Sequence, residues 1–173
     1  MAFIDNPLLL SNAQAISASA ASTNIYDVTG AGSGNAPGVT FGTGNPIFVD
    51  IGAGDGVVRP VASFTVTTTG TGIGTIAIAV EAAPDNGSNA PGTYQILTET
   101  QPFTGTALVA GEQINLGIPP APILQNGTQL LPRFYRFYYT VSGTATVSLS
   151  GAIQLNPTTG LTSLQIGNNF TSV

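Results

Sequence analysis

The chain has 173 residues, 42% of them apolar, and sets three basic residues against eight acidic ones for a net charge of -5. That is enough apolar material for one domain with a real core. It is too little positive charge to neutralise a nucleic-acid backbone or to grip an anionic membrane surface.

In chain order, residues 1–22 are apolar but irregular. Leu8, Leu9 and Leu10 form a run with no basic segment before it and too short for a secretion signal, so no export signal is expected. Residues 13–21 have the one composition that would suit a helix, but their Ser and Thr content argues against it. Beyond them Thr, Val, Ile and aromatic residues recur in short alternating runs between clusters of Gly, Pro, Asn and Asp. Strands are predicted over 23–28, 46–51, 61–69, 75–82, 93–100, 106–109, 113–116, 133–141 and 145–155, with a Gly-rich loop over 30–44 around Pro37. In the fourth of these, Ile76, Ile78 and Val80 share one face while Ala77, Ala79 and Glu81 share the other. The stretch from Pro84 to Pro91 then supplies turn chemistry, including Asn86-Gly87. Residues 156–173 carry Leu161, Leu164, Ile166 and Phe170 without a strand pattern. The expected architecture is all-β: a jelly-roll-like antiparallel β-sandwich of about eight strands over 23–155, with extended arms at 1–22 and 156–173.

No His, Cys, Lys or Trp is present. Triads, zinc sites and Schiff bases lack the imidazole, thiolate or amine they depend on. The Gly-rich runs 30–34 and 70–74 open no helix and precede no Lys, so they read as strand connections rather than phosphate loops. Asp50 and Asp55 flank a loop but match no calcium motif, and a plain turn is the better reading. Glu81, Glu99 and Glu112 leave a glycosidase-type carboxylate pair as the one surviving enzymatic route, against solvated acids on outer strand faces. The chain is expected to be no enzyme and to need no cofactor or metal.

What remains is surface. There are 55 Thr, Ser, Asn and Gln side chains against 11 charged ones, a composition easily desolvated against a partner. The segment from Arg133 to Val141 holds five of the 13 aromatic residues and two of the three arginines. Strand alternation puts Tyr135, Phe137, Tyr139 and Val141 on one face and Phe134, Arg136 and Tyr138 on the other. The second set is either an interface, with Arg136 held by cation–π contact, or the outer face of a strand covered by its own loops. Leu8, Leu9 and Leu10 in one arm and Leu164 and Phe170 in the other complete the candidate contact residues.

The run Leu8-Leu-Leu-Ser-Asn-Ala-Gln-Ala15 followed by Ala20-Ala-Ser-Thr-Asn-Ile-Tyr-Asp-Val28 resembles the opening of the capsid cement proteins of short-tailed phages, Bordetella-phage type. The aromatic strand followed by Ser142-Gly-Thr-Ala-Thr-Val147 and a last apolar strand is similar to the late part of that family. The resemblance covers the first 28 residues and 93–155. It implies a jelly-roll virion protein, made in the host cytoplasm, that stabilises the outside of an icosahedral head by bridging major capsid subunits. It also implies association with its own copies, as a homo-dimer or homo-trimer; that no nucleic acid or membrane is a partner is the expectation from the charge balance. A carbohydrate-binding or adhesive β-sandwich module is the alternative, weakened by the absence of Trp.

Overall fold

Runs of β-branched and aromatic residues between glycine turns give strands almost throughout. A computed structural model of the chain describes residues 9–27, 60–119, 123–125, 128–130 and 132–155. The strands are β1 (Leu9–Ile16), β2 (Ala20–Ala21), β3 (Tyr26–Asp27), β4 (Pro60–Thr71), β5 (Thr75–Ala83) and β6 (Gln95–Glu99). They continue with β7 (Phe103–Thr104), β8 (Gln113–Gly117), β9 (Ile123–Gln125), β10 (Thr128–Leu130), β11 (Phe134–Ser142) and β12 (Thr146–Leu155). The first sheet has the order β1-β12-β4-β8; the second has β2-β11-β5-β6, with β3 also on β11 and β7 also on β5. Every ladder among the described residues is antiparallel. A four-stranded and a six-stranded layer exchanged in this order form a jelly roll, with the β9–β10 hairpin inserted between β8 and β11 in the chain.

Alternation turns one side of each sheet inward. Ile76, Ile78 and Val80 of β5 and Tyr135, Phe137 and Tyr139 of β11 meet Phe64 and Val66 of β4 and Val147, Leu149 and Ile153 of β12 in one core. Phe64 and Phe137 join the layers edge to face, with ring centroids 4.5 Å apart. Gly151 of β12 lies beside this pair. A Cβ there would sit 2.7 Å from the Phe64 ring and 2.9 Å from Phe137, so the missing side chain is the space the rings occupy.

Three expectations need correction. Residues 9–22 are no arm: β1 pairs with β12 from Leu9↔Ala152 to Ile16↔Val147, and β2 pairs with β11. Alternation failed to reveal β1 because the strand is bulged twice, and Ala13 takes the left-handed conformation at φ 46°. The bulge lets Leu10 and Ile16 both reach the core. It also puts Gln14 where its amide accepts from Ser11 Oγ and Thr23 N and donates to Ala21 O, tying β1 to the next turn. Second, residues 105–107 form a 3₁₀ turn rather than the start of a strand. Gly105 N donates to Gly74 O, and its α-carbon lies so close to Thr71 O that no Cβ would fit. Third, the β9–β10 hairpin was not expected, although Asn126-Gly127 separates its strands in the sequence. The strand predicted over 46–51, the loop over 30–44, residues 1–8 and the tail 156–173 lie outside the described residues.

The sandwich has two unlike ends. At one, β1 to β2, β4 to β5 and β11 to β12 are closed by short turns. There Gly72, at φ +88°, packs its α-carbon against the carbonyl of Thr144, and a Cβ would fall 1.6 Å from that oxygen. Ile73 tops this turn, 94% exposed. At the other end β3 runs out toward residue 28, β8 toward 118 and β12 toward 156.

Two expected results follow from β1. An L-residue in the left-handed region costs about 1–2 kcal/mol. Ala13→Gly is therefore expected to stabilise the protein by about 0.5–1 kcal/mol after the added unfolded-state freedom, seen as a higher urea midpoint. The second concerns Tyr139, whose fully buried hydroxyl shares a 2.7 Å hydrogen bond with Ser11 Oγ. Burial pushes its phenol well up from the ordinary value of 10.0, the Ser11 bond opposing only in part. The folded chain thus holds this proton where the unfolded chain releases it. Its stabilising contribution is complete below pH 10 and is lost as pH rises further, by at most about 1.4 kcal/mol per pH unit. Urea midpoints between about pH 9 and about pH 11 are expected to fall less steeply in Tyr139→Phe than in the parent chain.

Candidate interface on the outer face of the second sheet

The outward residues of β11, Phe134, Arg136 and Tyr138, stand beside the outward residues of β5. Their register partners there are Ala83, Glu81 and Ala79. Glu81 in turn faces Ile96 of β6, and Tyr138 faces Ala21 of β2 on its other side. The result is a strip of aromatic and aliphatic side chains crossed by one ion pair.

That ion pair is satisfied within the chain. Arg136 Nε donates to Glu81 Oε2 at 2.7 Å, and the guanidinium lies 3.7 Å from the Tyr94 ring centroid and 5.5 Å from that of Tyr138. Arg136 is thus stacked between two tyrosines with its charge balanced. It is a partly covered outer-face residue, and its charge is not held free for a partner. Tyr94 has a buried hydroxyl with no hydrogen-bond partner. Burial pushes its phenol up, Arg136 pulls it down and Glu81 raises it further. Tyr94→Phe keeps the ring under Arg136 and removes the orphaned hydroxyl. It is expected to raise stability by about 1 kcal/mol in a denaturation curve.

Phe134 is corrected outright: it is 0% exposed and offers nothing to a partner. The reason lies in its neighbour. Arg133 donates from Nε to Asp27 Oδ1 at 2.9 Å and from an Nη to Asp27 Oδ2 at 3.1 Å, and its other Nη bonds the Asp85 carboxylate and Asn89 Oδ1. Its guanidinium sits 4.8 Å from the Phe134 ring centroid, so the clamp that ties β3 to the loop after β5 also covers that ring. The carboxylate bonds of Asp27 and then Asp85 hold the Arg133 guanidinium above its ordinary basicity.

The arm candidates separate. Leu10 is 0% exposed and belongs to the core, a second correction, because the β1 bulge turns it inward. Leu9 is half-buried at the start of the edge strand. Leu8, Leu164 and Phe170 lie outside the described residues. Sequence reasoning missed Ile96, 56% exposed beside Glu81, and Tyr94. Both lie within the strand predicted over 93–100, where Tyr94 and Ile96 share one face by alternation.

The acidic candidates do not converge. Glu81 is taken by Arg136, Glu99 is exposed at the edge of the same face opposite Ala79, and Glu112 lies just before β8 of the other sheet, where its carboxylate accepts from Val109 N. Among the described residues no three His, Cys, Asp or Glu side chains gather as a metal ion would need. Asp50 and Asp55 lie outside those residues.

Comparison with curated proteins gives no match. Comparison with protein families gives one described as Bbp16, aligned over residues 10–153, more than four fifths of the chain. The match begins inside β1 and ends inside β12, so it takes in all but the outermost residues of the jelly roll. The chain belongs to the Bbp16 family of Bordetella phage structural proteins, and is a virion component.

Proposed function

We propose that this protein decorates and cements a phage head: it binds the outer surface of the icosahedral shell, bridges neighbouring major capsid subunits and associates with its own copies. It acts through contact surfaces and catalyses nothing. The observation that carries this reading is the family match across all but the outermost residues of the sandwich. The charge distribution supports the mode of binding. Both arginines among the described residues are spent on internal acids, so attachment relies on neutral polar and apolar contact, multiplied over many copies on the lattice.

Such contact has little charge to screen. Purified heads lacking the protein are incubated with the recombinant chain and pelleted. The chain is expected to co-sediment at a fixed ratio to the major capsid protein, equally at about 0.05 M and about 0.5 M salt. Absence from the pellet, or release at the higher salt, overturns the proposal. Glycan binding by a chain that ignores heads would replace it with the adhesive reading.

A further inference from the structure

The loop between β5 and β6 carries chemistry that shell binding does not use. At its exposed tip run Asp85, Asn86, Gly87, Ser88 and Asn89. The ends are pinned: Asp85 bridges to Pro91, Asn86 N donates to Ala90 O at 2.9 Å, and Arg133 holds both Asp85 and Asn89. Within this frame Gly87 N donates to Asp85 Oδ1 at 2.8 Å, while Asn86 Oδ1 accepts from Ser88 N at 2.8 Å. Gly87 sits at φ +89° with nothing within 4 Å of where a Cβ would be, so no neighbouring group crowds its α-carbon.

We propose that Asn86 is a self-processing site at which the folded loop promotes succinimide formation and conversion to aspartate and isoaspartate. The Gly87 nitrogen attacks Asn86 Cγ and forms the new N–Cγ bond. Asp85 Oδ1 takes the proton from that nitrogen, as a positioned base. Negative charge gathers on Asn86 Oδ1, where the Ser88 N–H already points. The Cγ–Nδ2 bond then breaks, and the amide departs as ammonia with the transferred proton. Water adds to either carbonyl of the five-membered ring and opens it. The balance is one water consumed and one ammonia released, with no change of oxidation state.

The geometry distinguishes this from the intrinsic lability of any Asn-Gly pair, because Arg133 fixes Asp85 and Asn89 on either side while Gly87 N and Ser88 N are each bonded to the groups they would act with. The product adds a carboxylate beside Asp85 and, as isoaspartate, one more atom to the loop backbone. In a virion component, which is not replaced once assembled, a slow reaction of this kind accumulates with particle age.

The test uses the full chain, incubated near neutral pH either folded or unfolded in urea, with peptide mass spectrometry and isoaspartate detection at residue 86. A gain of one mass unit at Asn86 is expected on the order of tenfold faster in the folded chain. Asp85→Asn is expected to bring the folded rate down to that of the unfolded chain. The folded–unfolded comparison needs no variant and stands if Asp85→Asn loosens the loop. A folded rate equal to or below the unfolded rate overturns the proposal, as does an unchanged rate in a folded Asp85→Asn chain.

Discussion

Gly151→Val is expected to leave little soluble folded protein, and Gly151→Ala to lower stability by about 1–3 kcal/mol. The distances decide the sign. A Cβ at 2.7, 2.8 and 2.9 Å from Phe64 Cδ1, Phe64 Cε1 and Phe137 Cε2 meets the near faces of two rings, and both residues are fully buried with no exposed end to swing away. The sheets would have to separate, or the edge-to-face pair would have to break, and either loosens the middle of the core. Chemical denaturation of Gly151→Ala, Phe64→Leu and the double variant tests this directly. Phe64→Leu alone is expected to cost stability by opening space, while in the double variant the two costs partly cancel. Simple additivity would mean that the glycine is there for another reason.

Arg133→Ala is the second large loss, expected at about 3–5 kcal/mol. The Asp27 side chain is 1% exposed and receives two bonds from this guanidinium, so truncation withdraws a bidentate cation from a carboxylate that water hardly reaches. Arg133 also reaches Asp85 and shields Phe134, and the same truncation frees the loop after β5 and uncovers an aromatic ring. Arg133→Lys is expected to recover less than half of the loss, since a point charge cannot reproduce the planar fork. Asp85→Asn, at a much more exposed position, is expected to cost under about 1 kcal/mol. Denaturant midpoints for the three variants, ranked in that order, check the claim. An Arg133→Ala chain as stable as its parent would show that the pair gains nothing over its solvated parts.

The sandwich was legible because most of its strands obey plain alternation: β4, β5, β8, β11 and β12 appear in the sequence almost at their observed bounds. The inward set on β11 was read correctly as well. β1 was lost because a bulged strand has no constant period, and Ala13 in a left-handed conformation gives no glycine to announce it. The candidate interface was only half legible. Alternation tells which way Phe134, Arg136 and Tyr138 point, but whether such a face is open depends on what closes over it. Here the cover comes from Arg133 reaching Asp27, a partner 106 positions away, and from Tyr94, which slides beneath Arg136 out of a loop. Contacts at that separation have no local signature. The exposed Ile96 is similar: the register shift between Val80 and Glu81 decides that it sits beside the ion pair, and register across a bulge cannot be read from one strand.

The two unlike ends of the sandwich make the protein a handed fixture for carrying cargo. Foreign sequence grafted beside Ile73 would have to part backbones that already touch at Gly72, Gly74 and Gly143, and the wedge would run straight into the core. Sequence grafted between Ser88 and Asn89 starts instead from a run that is exposed among the described residues and stands on two pinned loop stems. One pole of the molecule therefore accepts a payload and the other refuses it, which sets the direction in which anything displayed on a particle through this scaffold must point.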